Sequence, residues 1–181
     1  AAGQLGIGAS GVASFTATVA KLSATTNLTA DAAGIALARF RAFFSEADDP
    51  KLAVTEATFT NLASSILKVG VNSIASETGI VNVATQIASM ADYAGFTANQ
   101  VIGLAGALSS IGVAPELARG TITRTFSLIG NAVSTGGVQL EKFAELAGVS
   151  STEFKAAWGN DAFAGIFTKL VGGIRDLGNS G

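Results

Sequence analysis

Apolar residues recur at helical spacing along almost the whole chain. Val101, Leu104, Ala105, Leu108 and Ile111 form one stripe, and Ile122, Phe126, Ile129 and Val133 form the next. Apolar residues at every third or fourth position share one side of an α-helix. The two stripes are separated by Ile111-Gly112-Val113-Ala114-Pro115 and preceded by Ala94-Gly95-Phe96-Thr97. Gly just past a stripe can take the left-handed conformation that closes a helix. Pro115 suits a first helical position, where no N–H is needed. Thr97 with Gln100 makes a capping box that opens a helix. Ala147-Gly148-Val149-Ser150 repeats the joint, with Ser150 and Glu153 as a second capping box. Leu5-Gly6-Ile7-Gly8 precedes a further stripe, Val69-Gly70-Val71-Asn72 is a looser copy, and Thr26-Asn27-Leu28-Thr29 has Asn in the place of Gly. The copies are irregularly spaced, so no solenoid repeat is expected.

Read in order, the pattern predicts an all-α fold of about eight or nine short amphipathic helices joined by Gly, Ser and Thr caps. The first covers 9–24 with Val12, Phe15, Val19 and Leu22 on one face. Thr29 caps the second, Asp31 sits in its first turn, and Leu37, Phe40 and Phe44 share a face away from Arg39, Arg41 and Glu46. Ser45 to Pro50 is polar, ends in Asp-Pro, and is the expected loop. The third helix carries Phe59, Leu62, Ala63, Ile66 and Val69. Ser76 or Thr78 starts the fourth, with Ile80, Val83, Ala84, Ile87, Ala91 and Ala94 opposite Asn82, Gln86 and Ser89. Thr135-Gly136-Gly137 ends the sixth. Leu140, Phe143, Ala144 and Ala147 mark a seventh, and Ser150 to Trp158 an eighth, in which Phe154 and Trp158 are read as core. Gly159-Asn160-Asp161 breaks the chain before a last stripe of Phe163, Ile166, Phe167, Leu170 and Ile174. No segment alternates with period two, so strands are not expected. The uncharged run from Tyr93 to Pro115 is long enough to cross a bilayer, but its polar and Gly interruptions read better as two helices joined by a cap. The whole of 1–181 is read as one helical domain, with a subdivision placed near 45–50.

Composition sharpens this picture. Charged residues are 13%, against about 25% in ordinary soluble domains, and mean hydropathy is +0.48. With 22 Gly and 2 Pro, the chain has many small residues and few charges to solvate it. That fits burial in an assembly, a membrane contact, or helices packed through small residues. Net charge is −2 without a basic stripe, so no specific nucleic-acid binding is expected. The absence of Cys leaves no disulfide or thiol chemistry. The absence of His removes the commonest neutral-pH base and metal ligand. The first residue is Ala1 and no basic leader follows, which reads as a piece of a longer protein.

Three patterns come nearest to chemistry. Gly6-Ile7-Gly8-Ala9-Ser10-Gly11 matches a dinucleotide fingerprint, with Asp31 at the spacing of a ribose-binding acid, but that site needs a preceding strand and a βαβ unit. Glu46, Asp48 and Asp49 cluster in the polar loop without the ligand number and turn glycine that calcium wants. Nothing places a second acid opposite them, as glycoside hydrolysis needs. Asn27-Leu28-Thr29 fits a glycosylation sequon, while Thr29 has its own capping role. No catalytic, cofactor-binding or metal residue is assigned, and no cofactor is expected.

Leu104-Ala105-Gly106-Ala107-Leu108-Ser109-Ser110-Ile111-Gly112-Val113 resembles the core region of bacteriophage tail tape measure proteins. Arg119-Gly120-Thr121-Ile122-Thr123-Arg124, Lys142 to Ser150 and Glu153 to Trp158 are similar to that family in order and spacing. The likeness covers nearly the whole chain, more weakly around Ser45 to Asn72, and the stretch Thr55 to Ser89 carries less charge than the family often has. The resemblance implies a non-enzymatic structural segment of a much longer protein, which sets tail length during assembly and leaves with the genome at ejection. Its partners would be other copies of itself and tail tube and tip proteins, and its place the virion, in the tube lumen or at the tip. Small-residue faces such as Ala105, Ser109 and Gly112 are the expected contacts. The alternative is a membrane-active helical domain that helps the genome across the host envelope, with the host membrane as partner. A wall-degrading enzyme is the third reading.

Overall fold

The computed structural model describes residues 9–44, 56–160 and 162–179. Among these residues every regular element is an α-helix: α1 (Ala9–Thr25), α2 (Ala30–Phe44), α3 (Glu56–Val71), α4 (Glu77–Tyr93), α5 (Ala98–Ser110), α6 (Pro115–Thr135), α7 (Val138–Leu146), α8 (Ser151–Ala157) and α9 (Phe163–Asn179). They form two compact units. The first holds the described residues up to Ala88 together with Ala98–Arg119; the second holds Ser89–Thr97 and the described residues from Gly120 onward. The division therefore falls within α4 and within α6. Residues 45–50, where a subdivision is expected from sequence, lie outside the described residues.

Three joints share one geometry. Gly95, Gly112 and Gly148 have φ of 79°, 76° and 64°. In each, the N–H of the following residue reaches back five positions: Phe96 donates to Ala91 at 2.9 Å, Val113 to Leu108 at 3.0 Å and Val149 to Ala144 at 3.0 Å. The glycine N–H bonds to the carbonyl three positions back, at Asp92, Ser109 and Glu145. These are Schellman motifs, which satisfy carbonyls that a helix end otherwise leaves orphaned. Pro115 is the first residue of α6, as its missing N–H predicts. Thr97 stands immediately before α5, and the Ser150 hydroxyl accepts the Glu153 N–H at 3.1 Å. Ser150→Ala and Thr97→Ala are each expected to cost about 0.5–2 kcal/mol; unchanged urea midpoints in both variants would contradict these caps.

The two looser copies of the joint are not left-handed turns. Among the described residues positive φ occurs only at glycines, and Gly70 is not one of them. Gly70 is helical within α3, and the Glu77 side chain lies over the space its Cβ would fill. Asn27 serves the fold through its side chain, whose Oδ1 accepts from the Thr78 N–H at 3.0 Å and the Thr78 hydroxyl at 2.9 Å. Of the two expected starts for the fourth helix, Ser76 is the cap, accepting the Gly79 N–H at 3.1 Å. Thr29 caps α2 through the Ala32 N–H, as expected.

In the first unit α1 packs against α2 and α3, and α3 against α5. Phe15 and Phe59 meet edge to face at 5.0 Å, and Leu37, Phe40, Ile66, Ile80 and Ile87 are buried in the same unit. Helix α5 is rotated by about a quarter turn from the predicted stripe. It buries Val101, Ile102, Ala105 and Gly106, while Ile111 is 77% exposed. The cause is Val69 of α3, whose side chain occupies the place a Cβ on Gly106 would take. Ala105, expected on a self-association face, is buried inside the unit.

The second unit is organised by rings. Phe96 stacks on Phe126 at 5.4 Å, and Phe126 meets Phe167 edge-on at 5.2 Å. Trp158 meets Phe163 at 4.7 Å, and Phe163 meets Phe154 at 5.8 Å. Phe154 is fully buried, as expected, and Trp158 is half-buried. Helix α7 packs on α8 and α9. Gly173 of α9 lies against the Leu146 carbonyl at the end of α7, leaving no room for a Cβ. The last predicted core residue, Ile174, is instead 54% exposed.

Candidate functional site

The expected chemistry-bearing clusters fall largely outside the described residues. The glycines Gly6 and Gly8 lie there, and so do Glu46, Asp48 and Asp49. Asp31 is an exposed first-turn residue of α2, placed where it favours the helix dipole. Asn27, the sequon residue, holds the start of α4. Among the described residues no group of three or more His, Cys, Asp or Glu side chains converges on a point. Among the described residues no helix is long and apolar enough to cross a membrane.

The first unit does contain a groove between α2, α4 and the first turn of α6, with a volume of about 480 Å³. That lies within the range of small-ligand sites, about 300–1,000 Å³. Its floor is apolar: Leu28, Ala36 and Val81 are buried. Its α2 side carries Ala32 and Ile35 and ends at Arg39; its α4 side carries Thr78, Asn82, Thr85 and Gln86; Glu116 adds a carboxylate from α6. The Asn27–Thr78 bonds hold the starts of α2 and α4 together, so both helices lead away from one shared end. Arg39 and Gln86 therefore lie toward the other end.

The polar groups of the α4 wall differ in what they have left to offer. Thr78 is spent on Asn27, and the Thr85 hydroxyl donates to the Val81 carbonyl at 2.8 Å. No hydrogen bond among the described residues engages the Asn82 or Gln86 amide. Asn82 is exposed and Gln86 half-buried. They are one helical turn apart and share a face. The sequence places both on the polar side of the fourth helix. It does not show that α2 stands opposite them, and Thr85 and Glu116 draw no notice in it.

A second groove lies in the second unit between α8 and α9, at about 430 Å³. Ala157 and Ile166 floor it, Ala156, Ala162 and Gly165 keep it shallow, and Glu153 and Lys169 stand at its edge. Both grooves offer apolar floors with one basic and one acidic side chain at the rim, which suit contact with another chain.

No protein-family model, curated protein or solved structure matches this chain.

Proposed function

We propose that the chain is a structural segment of a bacteriophage tail tape measure protein, acting in tail assembly and leaving the virion with the genome. The observation that carries this reading is where the four family-like stretches fall. Leu104–Val113 is the end of α5 with its Gly112 joint, and Arg119–Arg124 lies in α6. Lys142–Ser150 is α7 with its Gly148 joint and the α8 cap, and Glu153–Trp158 holds the buried Phe154. The resemblance thus rests on positions that build and join helices. A ruler or scaffold needs its length and its joints, whereas an enzyme needs convergent polar groups. The low charge agrees with a chain that meets other copies of itself and tube or tip proteins.

The test is electron microscopy of tails from phage carrying changes in this segment. Single changes at Glu46, Asp48 or Asp49 should leave infectivity intact. An in-frame deletion between helices should shorten the tail if the segment lies extended in the tube, and abolish assembly or ejection if it acts at the tip. Normal tails and infectivity after removal of the whole segment would refute the structural role.

One observation favours the membrane-active alternative. Val171, Ile174 and Leu177 of α9 are 51%, 54% and 63% exposed, and their spacing of three gives a row that could lie in a lipid interface. Dye release from liposomes by the purified chain would support that reading; its absence would leave the tail role alone.

A further inference from the structure

We infer that the groove between α2 and α4 binds an extended peptide segment, held by its main chain on Asn82 and Gln86. Three features of the groove lead to this occupant. The first is the pair of amides. A primary amide carries one acceptor and two donors, matching the N–H and C=O of a peptide unit. The second is their spacing. One helical turn separates Asn82 from Gln86 along the axis, about 6 Å at about 1.5 Å per residue. Alternate residues of an extended chain repeat at about 6.6 Å. Two amides on one helix face therefore meet two peptide units of a strand laid along α4, each side-chain amide taking one N–H and offering one to a carbonyl. A helical occupant has its own backbone groups already paired and cannot use them so.

The third feature is the wall that faces the amides. From Thr78 to Gln86 the α4 side is about 12 Å long, room for about four extended residues. Side chains alternating toward the floor would meet Leu28, Ala36 and Val81, which asks for small apolar groups there. Arg39, toward the Gln86 end, calls for an acidic side chain on the peptide, and Glu116 gives a basic one a partner. The occupant is thus a short extended stretch of protein, apolar in the middle and carrying an acid and a base. Thr78 and Thr85 would not compete for it, because their hydroxyls are bonded within the fold.

The probe is the acetylated, amidated peptide Lys-Ala-Val-Ala-Asp, titrated into the isotopically labelled full chain and followed by NMR. Saturable shifts of the Asn82 and Gln86 side-chain amide signals are expected. Asn82→Ala with Gln86→Ala should weaken binding at least tenfold while leaving the backbone spectrum of the second unit unchanged. N-methylating the peptide at alternate residues removes the main-chain donors and should weaken it by a similar factor. Arg39→Glu should lower affinity for this peptide and raise it for the version ending in Lys. The inference is overturned if no saturable shift occurs, if the N-methylated peptide or the double variant binds equally well, or if the bound peptide shows helical nuclear Overhauser contacts.

Discussion

Replacing Phe126 by alanine should destabilise the second unit by about 3–5 kcal/mol, the range for deleting a large aromatic from a closed core. The ring is fully buried in the middle of α6. It stacks on Phe96 and meets Phe163 and Trp158 edge-on at 6.2 and 6.3 Å, in addition to its 5.2 Å contact with Phe167. Edge-to-face pairs add about 0.5–1.5 kcal/mol beyond area burial. The neighbours are themselves held by other rings, so they cannot collapse freely into the void, and incomplete collapse makes a cavity costly. Phe126→Leu keeps most of the volume and should cost less than half as much. Trp158 is the only tryptophan of the chain and sits within this cluster, so its fluorescence against urea reports this unit directly. A loss below about 1 kcal/mol for the alanine variant would mean that the rings do not form one core.

Gly95→Ala should be nearly as damaging, for a different reason. Its φ of 79° costs any L-residue about 1–2 kcal/mol. Gly148, with φ of 64° and open space around it, carries that cost alone. At Gly95 the added methyl would also fall on the backbone of Asn160. Asn160 is the hook between α8 and α9: its N–H donates to the Ala157 carbonyl at 3.2 Å, its carbonyl accepts the Phe163 N–H at 2.9 Å, and its Oδ1 accepts the Ala162 N–H at 3.1 Å. Pushing it aside loses at least one of these bonds, about 1 kcal/mol more, and unsettles Phe163. Gly95→Ala should therefore lower the Trp158 unfolding midpoint clearly further than Gly148→Ala does. Equal midpoints would show that the two glycines serve their turns alone and that the approach of Asn160 has no energetic weight.

The sequence by itself determined the helices and the way they end. A cap or a Schellman turn joins groups within about five residues of each other, so Thr29, Pro115, Ser150 and the glycines at 95, 112 and 148 could be read without knowing what surrounds them. The stripes of α3, α4 and α6 were equally legible, because their buried residues recur at helical spacing from end to end. What a stripe cannot state is which neighbour it will meet. Val69 seated on Gly106 turned α5 away from Ile111, and at the end of α9 the Leu146 carbonyl packs on Gly173 while the neighbouring Ile174 stays exposed. Both are contacts between residues far apart in sequence, decided by shape. So is the role of Asn27, which looks like a turn residue and acts across the unit on Thr78. The groove was half legible: Asn82 and Gln86 announce a polar face, as any solvated helix does. Only the tertiary structure set α2 opposite that face, used up the threonines and left the two amides free, because Asn27 bonds to Thr78 at the shared end and the groove opens beyond it.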